Sequence, residues 1–501
     1  MTPLSKGIRV SRAALAAAPL VFVAACSPAT GGTGSATSPT PAARSPASID
    51  LTKPPTLAPP APLRLPAVTT RELPNGLRLM IVEHHELPLA DFVLIVKNGG
   101  ETDEPGKLGT ATLATSLLRE GTTTRSSLQI ADQAAFLGVG LFAGSGWDAT
   151  TLQLHTPTAQ LDSALALFAD VALHPAFPET ELERLRKTRL TSLLQVKDRA
   201  PEIANRAYAA IVFGSAAYGR PLTGDESSTN AIQQADVRRF YETYFRPNNA
   251  TLLVVGDVRP DDIERRVRTL FGGWERRPVL PANYGQPPAP KGTTIYLVDK
   301  PGAAQSSFRI GTVGVPRGTE DYFPLVVMNT VLGGSFTSRL NTNLRETKGY
   351  TYGAGSGFAM RRAPGPFTAN AEVVAAKTDS ALIEFMKELR AIRDTVPTEE
   401  MEKAKRYLQL QFPGNFETTG GIAGQLSQLV THDIPLSFYD TYMQRVAAVT
   451  QADVQRVGRQ YIDPERLAIV IVGDRATIEP ALKATGVGPV TVVDITGKPV
   501  M

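Results

Sequence analysis

Ala235-Asp236-Val237, Tyr244, Pro247 and Gly256-Asp257 return 217 residues later as Ala452-Asp453-Val454, Tyr461, Pro464 and Gly473-Asp474. Further upstream, Asp162-Ser163-Ala164-Leu165 returns at the same offset as Asp379-Ser380-Ala381-Leu382. Glu183 and Glu402 match at 219, which a small insertion explains. Chance matches would not share one offset over so long a stretch, so the body is one unit written twice. The spacing places two homologous domains at about 68–284 and 290–495, joined by a linker from Pro278 to Pro290.

Each copy reads as strands, then helices, then a closing strand. Leu77 to Val82 and Asp91 to Val96 are short apolar runs joined by a turn near Pro88. Leu161, Ala164, Leu165, Phe168 and Val171 follow helical spacing, and Pro178-Glu179-Thr180-Glu181 has the acids of a helix start. Thr251 to Val255 and Leu467 to Val472 are the closing strands, each followed by Gly-Asp. Strands and helices without strict β-α-β alternation predict an α+β fold.

The 501 residues are 42% apolar and 20% charged, the balance of a folded chain rather than a disordered one. Net charge is +4, but Lys6, Arg9, Arg12, Arg44, Lys53 and Arg64 lie in residues 1–67 against Asp50 alone. The body that follows is close to neutral, which argues against a nucleic-acid surface. With Cys26 as the sole cysteine, internal disulfides and a cysteine-rich zinc site are excluded.

Lys6, Arg9 and Arg12 precede the apolar run Ala13 to Ala25, the pattern of a signal peptide over residues 1–25, too short for a spanning helix. The run ends in Val23-Ala24-Ala25-Cys26, which resembles a bacterial lipoprotein box. That resemblance implies cleavage before Cys26, its lipidation, and a body held at a membrane surface in the periplasm; Ser27 implies the outer membrane. The plainer alternative is an ordinary cleaved signal with an incidental cysteine. Residues 26–67, rich in Pro, Ala, Ser and Thr, read as an extended tether.

The body resembles the insulinase/pitrilysin-like metallopeptidases, also called inverzincins. The resemblance rests on Leu73-Pro74-Asn75-Gly76-Leu77, Tyr244-Phe245-Arg246-Pro247-Asn248-Asn249, Val255-Gly256-Asp257, and Leu332-Gly333-Gly334 through Ser338-Arg339-Leu340 to Leu344-Arg345-Glu346. It implies two tandem domains, each a mostly antiparallel sheet packed with helices, forming half of a clamshell. Active members carry a His-x-x-Glu-His zinc helix in the first domain. Its frame survives here from Gly109 to Gly121-Thr122, but its three functional positions are Thr112, Thr115 and Ser116. Neutral hydroxyls are poor zinc ligands and poor bases near neutral pH. The family's third ligand, a Glu, falls near Thr191 to Leu194, and no acid lies between Glu183 and Asp198. The expectation is that this chain binds no metal.

His84, His85, His155, His174 and His432 are the five histidines, and their spacing builds no alternative ligand set. His84 and His85 would point to opposite faces of a strand end. In the second domain, Arg345 and Tyr352 keep the seven-residue spacing of a family pair that binds substrate main chain and the developing oxyanion. The plain alternative is an exposed helix-end Arg and a packed strand Tyr. Leu128 and Ala135 stand 217 residues earlier, so the pair is not duplicated. Gly333-Gly334 and Gly420-Gly421 lack the Lys-Ser or Lys-Thr of a phosphate loop and read as turns and helix-packing sites. Gly144-Ser145-Gly146 lacks the spacing of a serine-hydrolase elbow. The resemblance therefore implies a non-zinc subunit: it would lend Arg345 and Tyr352 to a zinc-bearing homologous partner and act on peptides. The alternative is a non-catalytic peptide-binding or scaffold lipoprotein of the cell envelope.

Overall fold

The apolar run Ala250–Gly256 and its repeat Ala468–Gly473 become inner strands of two six-stranded sheets. The computed structural model describes residues 65–500. The signal segment, Cys26 and all but the end of the 26–67 tether lie outside the described residues.

The first sheet holds β1 (Val68–Glu72), β2 (Arg78–Glu83), β3 (Leu89–Val96), β4 (Gly140–Ser145), β5 (Thr150–Pro157) and β6 (Ala250–Gly256), in the order β1-β2-β6-β3-β5-β4. The second holds β7 (Thr294–Asp299), β8 (Gln305–Val313), β9 (Thr351–Phe358), β10 (Pro366–Val374), β11 (Ala468–Gly473) and β12 (Val490–Val493), in the order β12-β7-β11-β8-β10-β9. Five positions correspond strand for strand. The sixth differs: β1 enters from before its sheet and pairs antiparallel with β2, whereas β12 comes from the end of the chain and pairs parallel with β7. Beyond that, β2 with β6 and β7 with β11 run parallel and the other pairs antiparallel. The expected α+β architecture of two tandem, mostly antiparallel domains is the one observed.

β6 is buried along its whole length because both faces of its sheet are covered, which is why it reads as a continuous apolar run. Leu252 and Val254 face the helices of their own half, including Phe168, Val237 and Phe271. Leu253 and Val255 face Ile422, Ala423, Leu426, Leu429 and Val430 of the Thr419–Thr431 helix, which belongs to the second half. The exchange is reciprocal. The Ala200–Phe213 helix of the first half lays Ile203, Ala204, Ala207, Tyr208 and Val212 against Val298, Val470 and Val472 of the second sheet. Tyr208 Oη donates to the Phe367 carbonyl at 2.5 Å, satisfying a hydroxyl buried in that contact. These two crossing helices are equivalents under the repeat. Each fully buried Val, Leu or Ile contributes about 1.5–3 kcal/mol, so the crossings join the halves firmly.

Polar contacts add to the joint. Asp148 accepts from Tyr218 Oη at 2.7 Å and from the Arg362 backbone N–H at 3.1 Å. The Arg362 guanidinium donates to the Lys97 and Thr431 carbonyls at 3.1 and 2.7 Å. The linker is pinned too: Tyr284 packs on Tyr218, and its carbonyl accepts from the Ala217 N–H at 2.8 Å. Gly420-Gly421 lies in the first turn of the second crossing helix, which Thr418 Oγ1 caps by accepting from the Gly421 N–H.

Candidate functional site

The degenerate motif lies on the short helix Thr110–Leu117, which follows Gly109 at φ 91°. A residue in that left-handed conformation is best served by glycine, and glycine brings no capping side chain. The cap comes from a distance. Asp103 accepts from the Gly109 and Ala111 N–H groups at 2.7 and 2.9 Å. Burial pushes the Asp103 carboxyl up to about 7, against those two donors and the charges of Arg220 and Arg189. Burial also pushes neighbouring Glu101 up to about 7, although it accepts from the Gly99 N–H at 2.7 Å and from Asn98 at 3.1 Å.

All three motif hydroxyls turn back onto their own helix. Thr112 donates to the Gly109 carbonyl at 2.9 Å, Thr115 to Ala111 at 2.7 Å, and Ser116 to Thr112 at 2.9 Å. The long helix Glu179–Val196 supplies the neighbour that sequence reading missed: Arg189. Its Nη1 donates to the Gly109 carbonyl and its Nη2 to Thr112 Oγ1, both at 2.8 Å. Burial lowers the Arg189 guanidinium to about 10, with Asp103 acting the other way. Further along that helix, Thr191 and Ser192 donate to carbonyls one turn back, and Leu193 is buried. These hydroxyls, an arginine and a leucine do not fit a zinc ion: they offer neither imidazole nor carboxylate. The histidines lie elsewhere, several beside a carboxylate. His85 contacts Asp257 at 2.7 Å, His155 contacts Asp91 at 2.9 Å across β3 and β5, and His174 lies 3.4 Å from Asp170. Among the described residues, no three His, Cys, Asp or Glu side chains converge to hold a metal ion.

Arg345 and Tyr352 lie in the other half. Arg345 sits in a π-helical turn, Thr342–Thr347, a local widening often found at functional positions. Asn343 anchors the turn by donating to Glu384 and Glu388 at 2.9 and 2.7 Å. The Arg345 guanidinium lies 4.5 Å from the ring centre of Phe336. It also lies 3.3 Å from Glu346 Oε1, an ion pair without hydrogen-bond geometry. Phe336 follows Gly333-Gly334, where β9 passes so closely that a Cβ on Gly333 would stand 2.3 Å from the Ser356 nitrogen. That close approach explains the first glycine of the pair.

Tyr352 is on β9, the outer strand of its sheet, and is 93% exposed. Its outward aim has a cause. Ala354 pairs with Ala371 and Thr351 with Val373, so Tyr352 and Gly353 together oppose Glu372 alone. This β-bulge inserts one residue and turns the side chain off the packed face. Thr351 holds it by donating to the Glu372 carbonyl at 2.7 Å. The reading of Tyr352 as a packed strand residue is thereby excluded. Arg345 lies against the exposed ring of Phe336, and the exposed Tyr352 stands on the outer strand of the same half. Phenol and guanidinium are donors able to hold a peptide carbonyl or an oxyanion.

Two family profiles match. Residues 79–226 fit the profile described as insulinase, peptidase family M16, and residues 231–408 fit the one described as peptidase M16 inactive domain. The chain belongs to the M16 peptidase family. A Bacillus subtilis protein named as an uncharacterized zinc protease is 23% identical over 364 residues, 72% of this M16 chain and 87% of that one. A Streptomyces coelicolor protein of the same description is 25% identical over 396 residues, 77% and 84% of the two chains. Among solved structures, a peptidase M16 inactive domain from Pseudomonas fluorescens superposes with a TM-score of 0.76 at 27% identity, covering 81% of this chain and 98% of that one. A Helicobacter pylori protease shares the fold at a TM-score of 0.77 and 20% identity, over 82% and 100% of the two chains.

Proposed function

We propose that this M16 chain is the non-zinc subunit of a heterodimeric metalloendopeptidase acting on unfolded peptides. The observation that carries the reading is an asymmetry. The first half has hydroxyls at the motif positions, one of them bonded by Arg189, while the second half holds Arg345 in a π-helical turn and an exposed Tyr352 at a free strand edge. An extended peptide would add to that edge through main-chain hydrogen bonds. Arg345 and Tyr352 would then donate to the substrate main chain and to the carbonyl oxygen as it gains charge. The attacking water and its activation would come from a zinc-bearing homologous subunit, a role in keeping with relatives named as zinc proteases. Two clamshell halves would enclose the peptide between them.

We further propose that Cys26 is lipidated and that residues 26–67 tether the body at the periplasmic face of the outer membrane. The test of location is fractionation: Cys26→Ser should move the protein from the membrane to the soluble fraction.

The test of function is co-expression with the zinc-bearing paralogue. Peptidase activity should appear only in the complex and fall with Arg345→Ala or Tyr352→Phe. Activity of the purified chain alone, abolished by a chelator, would refute the proposal. The same hydroxyl-lined motif helix is compatible with one other reading, a scaffold or peptide-binding lipoprotein without a catalytic partner. A pull-down free of any zinc peptidase, with no effect of Arg345→Ala, would support it.

A further inference from the structure

The Thr110–Leu117 helix has hydroxyls in place of metal-site residues, and an arginine from the long helix bonds to its first turn. The Arg189 guanidinium reaches the two groups at the entry of the helix, the Gly109 carbonyl and Thr112 Oγ1. It does so without a carboxylate in direct contact; Asp103, which caps the same turn from its N–H side, is its nearest counter-charge. A Cβ on Gly109 would stand 2.7 Å from Arg189 Nη1, so the arginine fills the space against the backbone. The long helix is tied down further by Arg186, which donates to the Ile232 carbonyl at 2.7 Å and to that of Thr229.

A dication ligated at residues 112 and 116 would share this space with a fixed positive charge. A guanidinium stays protonated across the physiological range, so it does not yield to a metal as an imidazole does. We infer that Arg189 has taken over the metal's structural job: it is a built-in cation that joins the long helix to the motif helix and closes the site against metal. The loss of zinc ligation would then be held by a residue outside the motif, and restoring the motif would not restore the metal. Arg189 would act in this way within the chain by itself, with or without a partner subunit.

The test rebuilds the ligand set as T112H/T115E/S116H/L193E; Leu193 is one helical turn from Arg189 on the same face. Zinc per chain is measured by elemental analysis after dialysis against the metal, with Arg189 retained and with R189Q added. The expected result is below about 0.1 zinc per chain with Arg189 and about one with R189Q. Stoichiometric zinc with Arg189 retained would overturn the inference. Zinc in neither variant would overturn it too, because something other than Arg189 would then shut the site. Hydrogen exchange on single variants of the natural chain covers the case in which the rebuilt chain fails to fold. Arg189→Gln should lower protection of the Ala111 and Leu113 amides about tenfold, and Arg189→Lys should recover part of that. Unchanged protection in Arg189→Gln would overturn the structural half of the inference.

Discussion

The two halves began as copies and have spent their special residues differently. In the first, the motif helix is inward-facing and self-contained: its hydroxyls bond to their own backbone, Arg189 closes the entry and two carboxyls lie buried beside it. In the second, Arg345 sits in a π-helical turn, a bulge turns Tyr352 outward on the edge strand, and Phe336 follows the tight glycine contact of Gly333. The sheets behind both regions correspond in five of their six strands. A duplicated fold thus tolerates different special sites at non-equivalent places in its two halves, because sheet pairing and core burial do not depend on either site.

The largest effect is expected when the halves are separated. Expressed alone, residues 68–284 or 290–495 should fail to give a cooperative melt by circular dichroism, and co-expression should restore one. Each half would bare the sheet face that its counterpart's helix covers. That loss is on the order of 10 kcal/mol, comparable with the whole stability of a domain. A cooperative transition in either half alone would mean that the crossing helices are accessory.

Next in size is the second site. In the complex with a zinc-bearing subunit, Arg345→Ala should lower kcat about 10²–10³-fold while leaving the melting temperature of the chain in place, because one donor to a developing oxyanion is removed. The corresponding loss of Thr112→Ala should be small in activity and visible in stability.

The first site should reveal itself through pH. Glu101 and Asp103 are held up to about 7 by burial, well above their unfolded values near 4. The folded chain therefore binds more protons than the unfolded chain between about pH 4 and 7, and stability falls as pH rises through that window. Glu101→Gln should flatten this slope by its share, on the order of 3 kcal/mol over the window, in denaturant titrations at pH 4 and pH 8. A stability that rises with pH across that range would contradict the assignment.

The smallest effect sharpens the second region. Gly333→Ala places a methyl group against the β9 backbone, which should cost about 1–3 kcal/mol in thermal unfolding. It should also move Phe336 relative to Arg345, so activity in the complex should fall further than stability alone explains. Equal effects on both would mean that Phe336 has no part in holding Arg345.

Much of this was legible in the amino-acid order. The 217-residue offset, the alternation of strands and helices, and the hydroxyls at 112, 115 and 116 are one-dimensional facts, and the α+β duplication follows from them. Arg345 and Tyr352 were legible as a pair only through their spacing within a known pattern. Arg189 was not, since an arginine on a charged helix is indistinguishable from any solvated one until the partner carbonyl, 80 residues away, is in view. Nor was the bulge at Tyr352-Gly353, which exists only as a mismatch between two strands. Local order thus determined which elements form and which chemistry the motif helix has lost. Tertiary packing decided which half each crossing helix covers, which way Tyr352 points and which groups Arg189 meets on the motif helix. The reason is physical: periodicity and propensity act within a few residues, whereas exposure, charge pairing and close approach arise only when distant segments are brought into contact.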